Sequence, residues 1–405
     1  MTAALSTEVP PRLDTLHFNS TKSCNLGCSF CYDKAVRGKT ANLPIEVIEA
    51  LAADAASLGA RRVILSGGEP TLRKDFRDVA LAFDRRGMEV SLATNGTMLT
   101  SATVEFVKTL GNPTVSVSLD GGAEVHDRLR EQRGAHHRTM NGLREMHQAG
   151  VEFDINATIY RENLSEVPFL TRIARDFGCD VRFSLLHPNG RGESMTDLAL
   201  DPREILRLRE YCHLMRSQGI PIFLNLPPLL QYLDEIIPTR GAACGWAINF
   251  CGVLANGDVS ICGVASDEPT LVAGNILDQP FRDIWTTSPL FRRTRNLHVE
   301  DLGGICGRCA FNQFCGGACR LSAFKENGDF LAPYELCQHF YDEGLIPEAI
   351  LEPVPDISPN ENAVGRPDQW AELTDTTAVP VRLLARRRAT TEETQVAPTS
   401  AAVCT

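Results

Sequence analysis

The chain has no feature that would mark export, membrane insertion or nucleic-acid binding. Its first residues, MTAALSTEVPPRLD, hold no basic region followed by an apolar run, and nowhere do the roughly 18 apolar residues of a membrane span occur together. A long Lys/Arg block is also missing. With 40 basic residues against 51 acidic ones the net charge is −11, which speaks against an electrostatic nucleic-acid footprint. The one basic run, Arg386 to Arg388, lies in a Pro-, Thr- and Ala-rich stretch and reads as a solvated feature of a tail. Internal repeats are absent apart from a strand–helix alternation. These absences point to a cytoplasmic globular protein with neither membrane nor nucleic-acid partners, and the 43% hydrophobic content is ample for a core.

What the sequence does hold is cysteine, 14 residues in 405. In a reducing compartment clustered thiols serve as metal ligands or catalysts more often than as disulfides. Cys179, Cys212 and Cys404 stand alone. The first two read as small buried hydrophobes, and the third lies in the tail. The other eleven fall into groups.

Short β-branched runs alternate with helical patterns along the first half. Strands are predicted at 16–20, 62–67, 89–94, 114–119, 153–159, 181–186 and 220–226, with segments such as Ile45, Ile48, Leu51, Ala52, Ala55 and Leu58 repeating at helical spacing between them. Alternation of this kind builds a parallel sheet, open or closed into a barrel, with ligands at the C-terminal strand ends. The polar and glycine-rich stretches fall at those ends: CNLGCSFC after the first strand, SGGEP after the second, TNG after the third and SLDGG after the fourth. The alternation stops near 238, and eight cysteines follow between Cys244 and Cys337. The division expected is a β/α unit over 14–235, a smaller cysteine-rich unit over 240–345, and a disordered tail over 346–405.

Cys24, Cys28 and Cys31 place three thiols where tetrahedral zinc or an iron–sulfur cubane wants four ligands. Either a distant His or Cys completes a zinc site, or one coordination position is open for a small chelating molecule. With Phe30 before the third cysteine, the triplet resembles the Cys-xxx-Cys-x-aromatic-Cys hallmark of the radical S-adenosylmethionine (radical SAM) superfamily. Gly67, Gly68, Glu69 and Pro70 are similar to that family's GGEP loop. The resemblance implies a partial (β/α)6 TIM-like barrel and a [4Fe–4S] cluster whose open iron is chelated by SAM. It further implies an external electron donor such as flavodoxin or ferredoxin. The two glycines are expected to let backbone approach the ligand and the Glu69 carboxylate to receive the methionine amine. Asn95 and Ser118 are candidate SAM contacts, though both also suit strand-ending turns. An arginine is expected near the SAM carboxylate, and Arg130, Arg133 and Arg138 are all available.

Downstream, Cys244 is followed by twelve residues, Gly257, four residues and Cys262; then come Cys306-xx-Cys309-xxxxx-Cys315-xxx-Cys319 and Cys337. All seven positions resemble the SPASM extension of radical SAM enzymes. That resemblance implies two auxiliary [4Fe–4S] clusters, one held by Cys244, Cys262 and Cys319 and the other by Cys306, Cys309, Cys315 and Cys337. Cys251 stands outside the pattern. It is a candidate fourth ligand of the first auxiliary cluster, or a buried cysteine on the strand INFCGVL. Paired zinc ribbons would satisfy the same spacing, since thiolates do not discriminate the two metals.

SPASM-type enzymes mostly modify peptides or proteins, so the resemblance implies maturation of a ribosomal precursor peptide by crosslink or thioether formation. Because Cys24 is so near the N-terminus, leader recognition is expected to need a separate peptide-binding protein or the enzyme's own surface. Formylglycine formation on a sulfatase is an alternative that would need a proton-accepting Asp, for which Asp258 and Asp267 are candidates that equally suit turns. Haem-precursor modification is a further alternative, and a non-catalytic iron–sulfur electron carrier is the alternative of another class.

Overall fold

The computed structural model describes residues 11–351 except 240–243 and 267, so the tail from 352, Cys404, the run 386–388 and Asp267 lie outside the described residues. Ten strands form one sheet: β1 (Thr15–Thr21), β2 (Arg62–Gly67), β3 (Glu89–Thr94), β4 (Pro113–Ser118), β5 (Asp154–Ile159), β6 (Asp180–Leu185), β7 (Ile222–Leu224), β8 (Phe250–Val253), β9 (Asp258–Ser260) and β10 (Val272–Asn275). Their spatial order is β10-β9-β8-β1-β2-β3-β4-β5-β6-β7. From β8 through β1 to β7 all pairings are parallel, and only β8–β9 and β9–β10 are antiparallel.

Six strand–helix units, β1 to β6, make the partial barrel wall. The helices that follow them are α1 (Ile45–Ser57), α2 (Phe76–Asp84), α3 (Ser101–Val107), α4 (Ala123–Leu129) with α5 (Ala135–Gln148), α6 (Val167–Phe177) and α7 (Pro202–Ser217). The period-2 alternation of each strand separates the two faces of the sheet. Leu16, Val63, Val90, Val115, Ile155 and Val181 share the helix-covered face and are all buried. Across from them Ser91, Ser116, Ser118, Asn156 and Thr158 share the inner face and stay half-buried. A parallel sheet packed on both sides would read as continuous apolar runs. The polar alternation in TVSVS and DINATI therefore marks the inner, partly accessible face of the barrel wall.

Where the sequence suggested a separate second unit, the observed register joins the two halves. Thr15, Leu16, His17 and Phe18 of β1 pair with Phe250, Cys251, Gly252 and Val253 of β8. The auxiliary segment thus begins as the continuation of the barrel sheet, because β1 would otherwise present an open edge. Among the described residues no helix is long and apolar enough to cross a membrane.

Candidate active site

The cysteine loop leaves the C-terminal end of β1. Ser23 and Cys24 form a two-residue ladder with Val36 and Arg37, closing residues 24–36 into a compact loop. Cys24 and Cys28 are buried and Cys31 half-buried. Burial pushes the Cys24 thiol up to about 12, and Glu69, Cys28 and Cys31 add to that rise. Cys31 is raised by burial and then by Cys28. Cys24 and Cys31, raised in this way, need a cationic centre beside them to become thiolates. Donors already face the sulfurs: Leu26 N–H approaches Cys24 Sγ at 3.4 Å, Asn95 Nδ2 the same sulfur at 3.9 Å, and Arg130 Nη1 approaches Cys28 Sγ at 3.5 Å. Converging thiols with N–H donors fit an iron–sulfur cluster.

The GGEP loop sits behind this loop. A Cβ on Gly68 would lie 2.2 Å from the Ser23 carbonyl oxygen, and one on Gly67 would lie 2.4 Å from that of Thr21. The glycines thus admit the backbone that leads into Cys24, with Gly68 N–H and Glu69 N–H donating to the carbonyls of Thr21 and Ser23. Glu69 is fully buried. Its Oε1 accepts from Thr71 N, Thr71 Oγ1 and Thr94 Oγ1, and its Oε2 accepts from Asn95 N at 2.7 Å. With four donors in place the carboxylate ties the Pro70 turn to the TNG loop. Pro70 opens that turn and is buried.

Asn95 is oriented over the cysteine loop: its amide donates to Asn25 at 2.9 Å and its Oδ1 accepts from Thr97. Ser118 lies half-buried at the inner end of β4, in register with Asn156. Of the three candidate arginines, Arg130 reaches the site, whereas Arg133 is exposed on the turn before α5 and Arg138 is half-buried within α5. Asp120, the acidic residue of SLDGG, is an internal anchor: Oδ2 accepts from Arg130 Nε at 2.6 Å and Oδ1 from Thr158 N–H. Phe30 lies beneath the Arg130 guanidinium at 5.1 Å and edge-on to Tyr160 at 5.7 Å.

Sequence reasoning missed Arg191, which follows β6. Its Nε donates to Cys28 O at 2.8 Å, its Nη1 to Ala35 O at 2.8 Å, and its N–H to Cys31 O at 3.0 Å. Three carbonyls of the cysteine loop thereby rest on one residue. The only signal in the sequence was the glycine pair around it, NGRG.

The downstream cysteines gather in two groups. Cys244, Cys262 and Cys319 act electrostatically on one another, and burial raises all that shift, Cys319 to about 11. Cys306, Cys309, Cys315 and Cys337 line one cavity together with Pro227, Leu229 and Tyr334. There Tyr334 N–H approaches Cys306 Sγ at 3.2 Å and Phe311 N–H approaches Cys309 Sγ at 3.4 Å. Four thiols with amide donors again suit a cluster.

Cys251 does not join the first group, a correction to its candidacy as a ligand. On β8 it pairs with Leu16 and shares the helix-covered face, whereas the neighbouring Gly252 turns inward, where a Cβ would meet the Cys262 carbonyl carbon at 2.3 Å. Strand alternation sends the two side chains to opposite faces. Cys251 is wholly buried, and the charge acting on it is that of Arg295. Asp258 is a hairpin residue, accepting from Asn256 and Asn275 side chains at 2.6 and 2.9 Å.

Both cysteine regions are sewn together. Asn19 Nδ2 donates to Gly263 O at 2.8 Å, Ser266 Oγ to Tyr32 O at 3.2 Å, and Glu193 receives Lys325 at 2.6 Å beside Lys34 at 3.9 Å.

Residues 18–174 match the Radical SAM superfamily, and residues 244–310 match SPASM, an iron–sulfur cluster-binding domain. The AdoMet-dependent heme synthase of Methanosarcina barkeri is 32% identical over 346 residues, covering 81% of this chain and 96% of the relative. The mycofactocin maturase MftC of Mycobacterium tuberculosis is 28% identical, covering 76% and 78%. Streptococcus suis SuiB bound to its precursor peptide SuiA superposes with a TM-score of 0.68 at 19% identity, covering 81% of this chain and 76% of that one, a likeness of fold. With its cysteine triplet at the end of β1 and its SPASM segment continuing the same sheet, the chain belongs to the radical SAM superfamily, as an iron–sulfur enzyme that binds SAM and carries a SPASM domain.

Proposed function

We propose that Cys24, Cys28 and Cys31 hold a [4Fe–4S] cluster whose fourth iron takes SAM, and that the enzyme abstracts hydrogen from a substrate on the inner face of the barrel wall. The observation that carries this is the convergence of the three thiols, with Asn95 and Arg130 donating to two of them, at the C-terminal edge of the inner wall. When bound, such a cluster supplies the single electron that breaks the C5′–S bond of SAM, giving methionine and a 5′-deoxyadenosyl radical. The chain's own residues orient and shelter. Arg191 and Glu69 keep the cysteine loop and the TNG loop rigid, and Gly67 and Gly68 admit the loop's backbone. Phe30, Asn95 and Ser118 offer an apolar face, an amide and a hydroxyl to the cosubstrate, next to Pro70. An external donor of the flavodoxin or ferredoxin kind would supply the electron.

Two further [4Fe–4S] clusters are proposed, on Cys244, Cys262 and Cys319 and on Cys306, Cys309, Cys315 and Cys337. Loaded protein should then carry about twelve irons.

For the substrate we favour a haem precursor. Support comes from the 32% identity that runs through 96% of a haem synthase. The half-buried hydroxyls of Ser118 and Thr158 and the amide of Asn156 offer donors to a tetrapyrrole's carboxylates. A peptide substrate is the second reading, favoured by the likeness to MftC and to the fold of peptide-bound SuiB.

The test is anaerobic incubation of the reconstituted chain with dithionite and SAM, measuring 5′-deoxyadenosine with either an iron tetrapyrrole bearing propionates or a precursor peptide. Intact clusters with no SAM cleavage would overturn the activity. Cleavage stimulated by peptide and not by tetrapyrrole would overturn the preferred substrate.

A further inference from the structure

We propose that Arg130 raises the reduction potential of the cluster on Cys24, Cys28 and Cys31 by donating a charged hydrogen bond to Cys28 Sγ, with Asp120 as its positioning residue. The inference rests on the proposed reading of those three cysteines as a cluster site. Reduction adds negative charge to a group already ligated by thiolates. A cation bonded to one thiolate therefore stabilises the reduced state more than the oxidised one, and hydrogen bonds to sulfur are among the established determinants of cluster potential.

The geometry is fixed from several sides. Arg130 is buried, its Nε bonds Asp120 Oδ2 at 2.6 Å, and its Nη1 faces Cys28 Sγ at 3.5 Å. Asp120 is held in turn by Thr158 N–H on Oδ1, by Asn163 Nδ2 on its carbonyl at 3.0 Å, and by its own N–H to His126 Nδ1 at 3.2 Å. Backbone bonds fix the other end: Gly27 N–H donates to Arg130 O at 3.1 Å and Ser29 N–H to Leu129 O at 3.2 Å. The guanidinium also lies over Phe30. Placing a cation in the protein interior is costly, and a purely structural tie could have used a neutral donor. A charge pinned to a sulfur from both sides has an electronic consequence.

Potentiometric titration followed by electron paramagnetic resonance tests this, reading the signal that changes when SAM is added. A hydrogen bond to a charged group corresponds to roughly a tenfold or larger factor in an equilibrium. Arg130→Gln is therefore expected to make the cluster about tenfold harder to reduce, which for one electron is a shift of about 59 mV to the negative. Asp120→Asn keeps the cation and an acceptor for it while removing the carboxylate charge beside it, so the potential is expected to shift to the positive, opposite to Arg130→Gln. Should Arg130→Gln fail to load iron, Arg130→Lys carries the test, because one ammonium cannot serve Asp120 and Cys28 together and an intermediate potential is expected. A loaded Arg130→Gln protein whose reduction equilibrium stays within twofold of the parent, a shift under about 18 mV, would overturn the proposal. Absence of any SAM-responsive signal in the parent would instead overturn the reading of the cysteine triplet.

Discussion

Gly68→Ala is a change of one methyl that should cost the protein its first cluster. In the structure that methyl would lie 2.2 Å from Ser23 O and 2.6 Å from Ser23 C, both backbone atoms of the segment that enters Cys24. Contact distances near 3.5 Å leave the pair roughly 1 Å too close, so one backbone must move. Overpacking of this kind costs about 1–3 kcal/mol. The same shift strains the N–H bonds from Gly68 to Thr21 O and from Glu69 to Ser23 O, at 2.7 and 2.8 Å, worth about 1 kcal/mol each. The total, about 3–5 kcal/mol, is a large part of a typical folding stability. It falls on the residues that aim Cys24 at Cys28 and Cys31, so cluster retention should fail before global folding does. Iron per chain after anaerobic reconstitution, read with thermal melting, measures both. Gly111→Ala is the matched control, since its new methyl meets only Asp84 Oδ1 at an ordinary 3.4 Å. Gly68→Ala protein that loads the full parental iron and cleaves SAM at the parental rate would refute the reasoning.

Cys251→Ala should leave iron content unchanged and cost about 1 kcal/mol in melting, whereas Cys262→Ala should lose roughly a third of the iron. Equal iron loss in the two would show that Cys251 is a ligand after all. Arg191→Ala removes two side-chain bonds to loop carbonyls, each worth about 1.5–3 kcal/mol, and should speed iron release to a chelator severalfold while the barrel's melting falls less. Asp201 caps α7 in a reciprocal box with Glu204, so Asp201→Ala should cost about 1 kcal/mol. The Glu204 N–H holds the Asp201 carboxyl below its ordinary value. Its contribution is therefore present above about pH 4 and lost as pH falls through the depressed value, so parent and variant melting curves should converge in acid.

The strands were legible in the sequence because their apolar residues alternate with small polar ones, and seven predicted runs coincide with β1 to β7 to within two residues at either end. The cysteine groups were legible because short spacings survive folding as neighbours. What the sequence concealed depends on register and on distant partners. Cys251 and Gly252 are adjacent, and only the pairing of β8 with β1 says which of them faces Cys262. Nothing local to Glu69 reveals that Thr94 and Asn95, on the next strand end, donate to its oxygens. Arg191 lies 163 positions from Cys28 and carries no periodic or compositional mark. The choice among Arg130, Arg133 and Arg138 turned on Asp120, whose own role as an anchor is set by Thr158 and Asn163.

The pairing of β1 with β8 has a consequence for how electrons would travel. The triplet hangs from the end of β1, and Cys262 follows β9, which is joined to β1 through β8, so the two cysteine regions ride on one hydrogen-bonded sheet whose neighbouring strands lie about 4.8 Å apart. Their separation is then a constant of the scaffold and would not change when substrate arrives or a loop closes. Any electron hop between them should keep the same rate in the resting and the occupied enzyme. By the same logic the cysteine-rich half is no detachable module. Without β8, the backbone of Thr15–Phe18 becomes a bare sheet edge, and the severed barrel should associate with other chains rather than survive as a soluble half-enzyme.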